Sequence, residues 1–466
     1  MRTFRLLTLV ATIAALPASM VACGDDDSTG TGGSGAGTSN GGSGAGTSNG
    51  GGVPTDFETI TGTLSDDLTL TADTNWMLEG NVIIPDGVTL TIEAGTTVYG
   101  DTNTKGTLVV RQGAQLIANG TADSPIVFTS PAPEPQAGDW GGVVILGRAP
   151  ITVGGGETTA SIEGFTTDEI YGGNDPADSS GSLQYVRIEF SGIEISPDNE
   201  INGLTMGGVG NGTTISHVMV RATLDDCFEW FGGTVDGDHL VCYRNGDDGF
   251  DMDEGYNGNL QFLFLQADPD IADSANGFES DSKTSVADDD TAHTQPTIYN
   301  VTLCGQNGDQ AKQQYGMLLR EKFAGKIFNA IITGYEAGID IRDTPQVGLT
   351  NLDLTLENSI VFGNTVENIA YDETLAPTDD EGPTEDDDES FDEAMWFTMG
   401  PGNATDDPGV SGCFDAVPNP VPTNAAVVTT DAATPPAGFD QSATYKGAFD
   451  PAGDNWLTEG TWVKFD

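Results

Sequence analysis

From about residue 57 onward the apolar residues fall in short runs separated by glycine or polar turns. Val82-Ile83-Ile84, Leu90-Thr91-Ile92, Leu108-Val109-Val110, Ile126-Val127-Phe128 and Val143-Val144-Ile145 are examples. Runs this short and this rich in β-branched residues predict strands. No long segment carries the 3.6-residue period of an amphipathic helix. Leu90-Thr-Ile-Glu-Ala-Gly-Thr-Thr-Val98 matches Leu108-Val-Val-Arg-Gln-Gly-Ala-Gln-Leu116 at an offset of 18. A glycine at a fixed place and a period near 20 residues predict stacked coils.

The repeat is clearest mid-chain. Asp225-Asp226-Cys227-Phe228-Glu229-Trp230 aligns with Asp247-Asp248-Gly249-Phe250-Asp251-Met252, and the register continues through Gly277-Phe278-Glu279-Ser280, Gly316-Met317-Leu318-Leu319 and Gly338-Ile339-Asp340-Ile341. The successive offsets are 22, 28, 39 and 22, so loops interrupt two coils. Period-two alternation puts Phe228, Phe250, Phe278, Met317 and Ile339 inside, together with Trp230, Met252, Leu319 and Ile341. Ser280 breaks the second of these rows. Glu229, Asp251, Glu279, Leu318 and Asp340 then face outward. Gly249, Gly277, Gly316 and Gly338 mark a corner needing either a positive φ or a close backbone approach.

This pattern resembles the right-handed parallel β-helix of pectate lyases, many polygalacturonases and numerous bacterial surface proteins. The resemblance implies an all-β fold: a single-stranded, pectate-lyase-like solenoid over residues 57–444, with about 12 coils and a length of roughly 58 Å at ~4.8 Å per coil. Residues 445–466 are aromatic and glycine-rich. They are expected to cap the open end of the stack, which otherwise presents unpaired strand edges; ligand binding by Trp456 or Trp462 is the alternative. Residues 379–393 hold ten acids in fifteen positions and read as a solvated or disordered loop.

The chain start changes the picture of where this solenoid works. Met-Arg-Thr-Phe-Arg and an apolar run to about Ala18 read as a secretory signal over residues 1–22, too short for a stable transmembrane helix. Met20-Val21-Ala22-Cys23 resembles a bacterial lipobox, which implies lipidation (palmitate among the acyl chains) at Cys23. Residues 23–56 follow as a linker in which SGAGTSNGG occurs twice in tandem. Such a Gly/Ser chain is flexible, with a reach of about 30 Å. The expectation is an exported lipoprotein, tethered to the outer membrane or cell surface of a Gram-negative bacterium and monomeric. The acids outnumber Lys and Arg by 72 to 16, a net charge of −56. That excludes a nucleic-acid partner, because phosphates need cations to neutralise them. Cys227, Cys242, Cys304 and Cys413 allow three disulfide pairings in an exported chain, or remain reduced in the core.

The candidate chemistry lies in the acids. Glu229, Asp251 and Glu279 sit on consecutive coils, with Asp225, Asp226, Asp247, Asp248 and Asp253 in the same patch. A ladder of like charges needs full hydration or a cation, and calcium suits its oxygen ligands. Asn245-Gly246-Asp247-Asp248-Gly249-Phe250-Asp251 is similar to the calcium-binding run of family-nine pectate lyases. The resemblance implies Asp247, Asp248 and Asp251 as ligands, with Asp225 as the partner one coil earlier. It also places a catalytic lysine directly after an N-G-F run; here Asn276-Gly277-Phe278 is followed by Glu279, with Lys283 four residues on. The expected function is therefore non-catalytic binding of a polysaccharide or another surface partner with calcium support. The alternatives are a calcium-dependent lyase using Lys283 or Glu279, and a purely structural or adhesive spacer. Arg320 and Arg342 share a column; they either clamp an anionic sugar or pair with Glu321, Asp340 and Asp343. His217 and His239, 22 residues apart, form either a metal pair or ordinary surface or core positions.

Overall fold

The computed structural model describes residues 54–153, 156–165, 169–196, 199–271, 275–282, 293–308, 314–342, 354–371 and 391–465. Cys23, Lys283 and Asp343 lie outside them. Among the described residues, 23 strands join one parallel system wound as a right-handed β-helix with three faces, and two short antiparallel pairs stand apart from it. Among the described residues the longest face stacks eleven strands, from Glu58–Thr63 through Gly181–Glu189 to Ile360–Val361. The about 12 coils read from the sequence are thus close.

The mid-chain register matches the reading. Phe228 pairs with Phe250, Phe250 with Phe278, Phe278 with Met317, and Met317 with Ile339. These residues and Trp230, Met252, Leu319 and Ile341 are buried in one continuous core. The four corner glycines have no positive φ; they serve close approach. A Cβ on Gly249 would meet Leu265 Cδ1 at 1.8 Å, and one on Gly316 would meet Ile332 Cγ2 at 2.1 Å.

The N-terminal register differs from the expectation. Leu90 pairs with Leu116, and Leu108 with Val82, both at an offset of 26 rather than 18. Leu90 and Leu108 stand on different faces. Each coil repeats the same alternating strand pattern on every face, so a sequence match alone aligned one face with the next.

The C-terminal residues also sit elsewhere than expected. Residues 445–465 run along the flank of the solenoid instead of closing its end. Gly447 N–H donates to Asn329 O at 2.7 Å, and Thr461 N–H to Ala122 O at 2.7 Å. Tyr243 Oη donates to Phe465 O at 2.8 Å. The end is closed by helix α1 (Glu393–Met399), whose N-cap Asp392 accepts from Met395 N–H. Phe397 inserts into the core with Phe391 and Trp396 beside it, and Glu393 accepts from the backbone N–H of Ile341 on the last strand of its face. Residues 391–393 of the acid-rich segment are thus ordered parts of a cap; the rest lies outside the described residues. A seven-residue helix is too short to show periodicity.

The cysteines form two disulfides, Cys227–Cys242 within the core and Cys304–Cys413 between the flank and the C-terminal region.

Candidate metal centre

The outward column of the second face runs Ile83, Val109, Val144, Thr205, Glu229, Asp251, Glu279, Leu318, Asp340. It changes from apolar to acidic along the stack. Its apolar start is covered by two excursions. One is the antiparallel pair Ala160–Ser161 and Ile170–Tyr171; the other is the hairpin Ile193–Ser196 and Asn199–Ile201. Ile162, Tyr171, Ile193 and Ile201 pack there on Val109, Val144 and Leu146 as a second small core. That packing carries Glu163 and Glu200 over the acids that follow. The acidic face is therefore partly closed off from water, although Asp247 stays exposed. Glu229 is only 6 % exposed, Asp226 6 % and Asp248 3 %.

All six acids read as metal ligands line one pocket of about 220 Å³: Asp225, Glu229, Asp247, Asp248, Asp251 and Glu279. Glu163, Glu200, Asn202 and Asp226 complete its wall. Two triads bring their carboxylate oxygens within 4.8 Å of one another, Asp225–Asp226–Asp247 and Asp226–Glu229–Asp251. Asp226 is their shared member.

A second column explains how two carboxyl groups come to be buried. Asn202, Asp226, Asp248 and Asn276 succeed one another along the stack, each accepting a backbone N–H from the next coil. Asp226 N–H donates to Asn202 Oδ1 at 3.2 Å, Asp248 N–H to Asp226 Oδ1 at 2.7 Å, Asn276 N–H to Asp248 Oδ1 at 2.6 Å, and Tyr315 N–H to Asn276 Oδ1 at 3.0 Å. Each has one oxygen tied to the backbone, and Asp226 keeps its other oxygen for the pocket. This ladder was legible in outline, since Asn202-Gly203-Leu204 precedes Asp226-Cys227-Phe228 in the same register. Nothing in the sequence placed Glu163 and Glu200.

Burial, and then mutual repulsion, shifts these groups. Asp225 is pushed up to about 8, first by burial and next by Asp247, Glu200 and Glu163. Glu163 rises to about 7, through burial and then Glu200 and Glu254. Asp226, Glu229, Asp248 and Asp251 are all pushed well above the usual carboxylate range, with burial the first cause and neighbouring acids the next.

The arginines do not offer a free clamp. Arg320 donates to Asp281 Oδ2 at 2.6 Å and also to Glu279. Arg342 pairs with Asp340 at 2.9 Å and lies over the Tyr315 ring. Glu279, the position a lyase base would take, is therefore held by Arg320.

The fold and its acid-lined flank can now be placed. The family model of the pectate-lyase-like β-helix domain matches residues 62–409. The chain belongs to that family. No curated protein and no solved structure gives a significant match.

The donor set fits calcium. Apart from Asn202, whose amide NH2 donates to Glu229, every side chain lining the pocket is a carboxyl group and offers oxygen, the hard donor that calcium takes six to eight at a time. Asp225 Oδ2 and Asp251 Oδ1 are buried there without a hydrogen-bond donor. An acceptor buried without a donor costs free energy unless something positive faces it. Asp225, Asp226, Asp247, Glu229 and Asp251 are the side chains that would hold the ion. Asp248 is engaged both in the backbone ladder and in a side-chain hydrogen bond with Glu279, and Glu279 is held by Arg320.

Proposed function

We propose that this chain is an exported lipoprotein, anchored through Cys23, whose β-helix carries structural calcium and binds a polysaccharide or another surface partner without cleaving it. The observation that carries this reading is the pocket itself: clustered, largely buried carboxylates, two of whose oxygens lack a hydrogen-bond donor, with Glu279 tied to Arg320. A water occupies about 30 Å³ of liquid volume, so a pocket of about 220 Å³ suits an ion with its waters better than a chain of sugars. Proton abstraction from a uronate needs a base poised near neutral pKa and free to reach the substrate. At the position that follows Asn276-Gly277-Phe278, the side chain is Glu279 in an ion pair with Arg320. The surrounding acids also repel a polyanion.

The test is an assay of the full chain with pectate, alginate and chondroitin in millimolar calcium, reading the ultraviolet absorbance of unsaturated product. No product above the blank is expected. Product formed by the wild type and lost in Lys283→Ala would overturn the non-catalytic reading and install the lyase in its place.

A further inference from the structure

We propose that His217, His239 and Asp238 form a binding site for a divalent transition-metal ion, zinc in the first instance, separate from the carboxylate pocket. The site lies on another corner of the coil, where successive strands each bend through one residue of positive φ. Those residues are Tyr185 (50°), His217 (54°), His239 (52°), Phe262 (60°), Asn300 (58°) and Asn329 (57°). The rings stack along the helix axis. Centroids are 4.3 Å apart for Tyr185–His217, 4.2 Å for His217–His239 and 4.7 Å for His239–Phe262. Stacking alone is met by the Tyr and Phe of the flanking coils. The two central positions add ring nitrogens that stacking does not require.

Those nitrogens converge on one carboxylate. Asp238 pairs in register with Ser216, next to His217, and itself precedes His239. Its Oδ1 lies 2.7 Å from His239 Nδ1 and 3.8 Å from His217 Nδ1. Ser216 Oγ lies 2.7 Å from His217 Nδ1 and 2.9 Å from Asp238 Oδ1, bridging the two. Ligand atoms bonded at 2.0–2.1 Å to a tetrahedral zinc are about 3.4 Å apart. The two observed separations bracket that value, so small side-chain rotations admit the ion. Three protein ligands leave one position open. Asp238 and His239 line a groove of about 480 Å³, and the Asp238 side chain is 46 % exposed, so that position is reached from solvent. Trp456 and Trp462 press edge-on against His239 and His217 and hold the rings from turning away. Two imidazoles with one carboxylate prefer zinc or copper to calcium, which takes oxygen ligands.

The experiment uses the full chain in millimolar calcium, which fills the carboxylate pocket, with zinc titrated against a chromophoric chelator. One tight equivalent of zinc is expected. Copper(II) at the same site should show hyperfine coupling to two nitrogens in its paramagnetic resonance spectrum. His217→Asn/His239→Asn keeps the bend, since Asn300 and Asn329 make it on later coils, and should weaken zinc at least about 100-fold. Asp238→Asn, on an exposed side chain, should weaken it by about tenfold or more and serves if the double variant fails to fold. No zinc equivalent in calcium, unchanged affinity in a folded variant, or a copper spectrum without nitrogen coupling would each overturn the site.

Discussion

Asp226→Asn should have opposite effects with and without calcium, and the magnitude follows from the geometry. Asparagine keeps the Oδ1 that accepts the Asp248 N–H, just as Asn202 and Asn276 do in the same column. The charge is lost, and an amide NH2 replaces the oxygen that faces the pocket. In the two triads that charge faces Asp225, Asp247, Glu229 and Asp251, all within 4.8 Å. Each ionised pair at that separation repels by about 3 kcal/mol at an effective dielectric near 20. Without calcium, protonation already relieves part of this repulsion, so the variant should gain only about 2–3 kcal/mol over wild type. With calcium a central ligand is missing. The wild type should gain about 2.7 kcal/mol at a hundredfold excess of calcium over Kd, and the variant much less. Melting in chelator and in calcium, at constant ionic strength, reads both effects. For a chain this long, 1 kcal/mol moves the midpoint by roughly 1 °C. A variant less stable than wild type in chelator, or one with an undiminished calcium increment, would refute the argument.

In chelator, stability should fall as pH rises from 5 to 8. The folded-state values of Asp225 and Glu163, about 8 and about 7, lie above their ordinary ones. The folded chain therefore holds more protons than the unfolded chain across that range, and loses stability as they leave. Calcium should flatten the slope, and equal slopes with and without it would contradict the pocket's role. Cys23→Ser should release the protein from membranes on fractionation; unchanged membrane association would reject the anchor. Phe397→Ala should cost about 3–5 kcal/mol, since Phe397 is 1 % exposed in the main core, and a melting midpoint within a degree of wild type would show that α1 is not the end cap.

Local pattern determined a good part of this protein. Alternation of period two and the recurrence of Asp-x-Phe and Gly-Phe fixed which mid-chain residues face inward, and therefore that Glu229, Asp251 and Glu279 share one column. The same recurrence put Asp225 and Asp247 on neighbouring coils beside that column. These features were readable because each depends on residues a single coil apart. The tertiary structure decided what lies far along the chain. Two excursions, held by a small core on Val109 and Val144, turn an open acidic face into a partly enclosed pocket and bring Glu163 and Glu200 to it. Packing of the C-terminal residues along the flank put Trp456 and Trp462 against the histidines, leaving the end of the stack to α1. The 18-residue match near the start misled because all three faces of a coil share one alternation, and only backbone pairing tells which face a strand joins. Repetition specifies the coil; burial of its outer columns depends on segments that do not repeat.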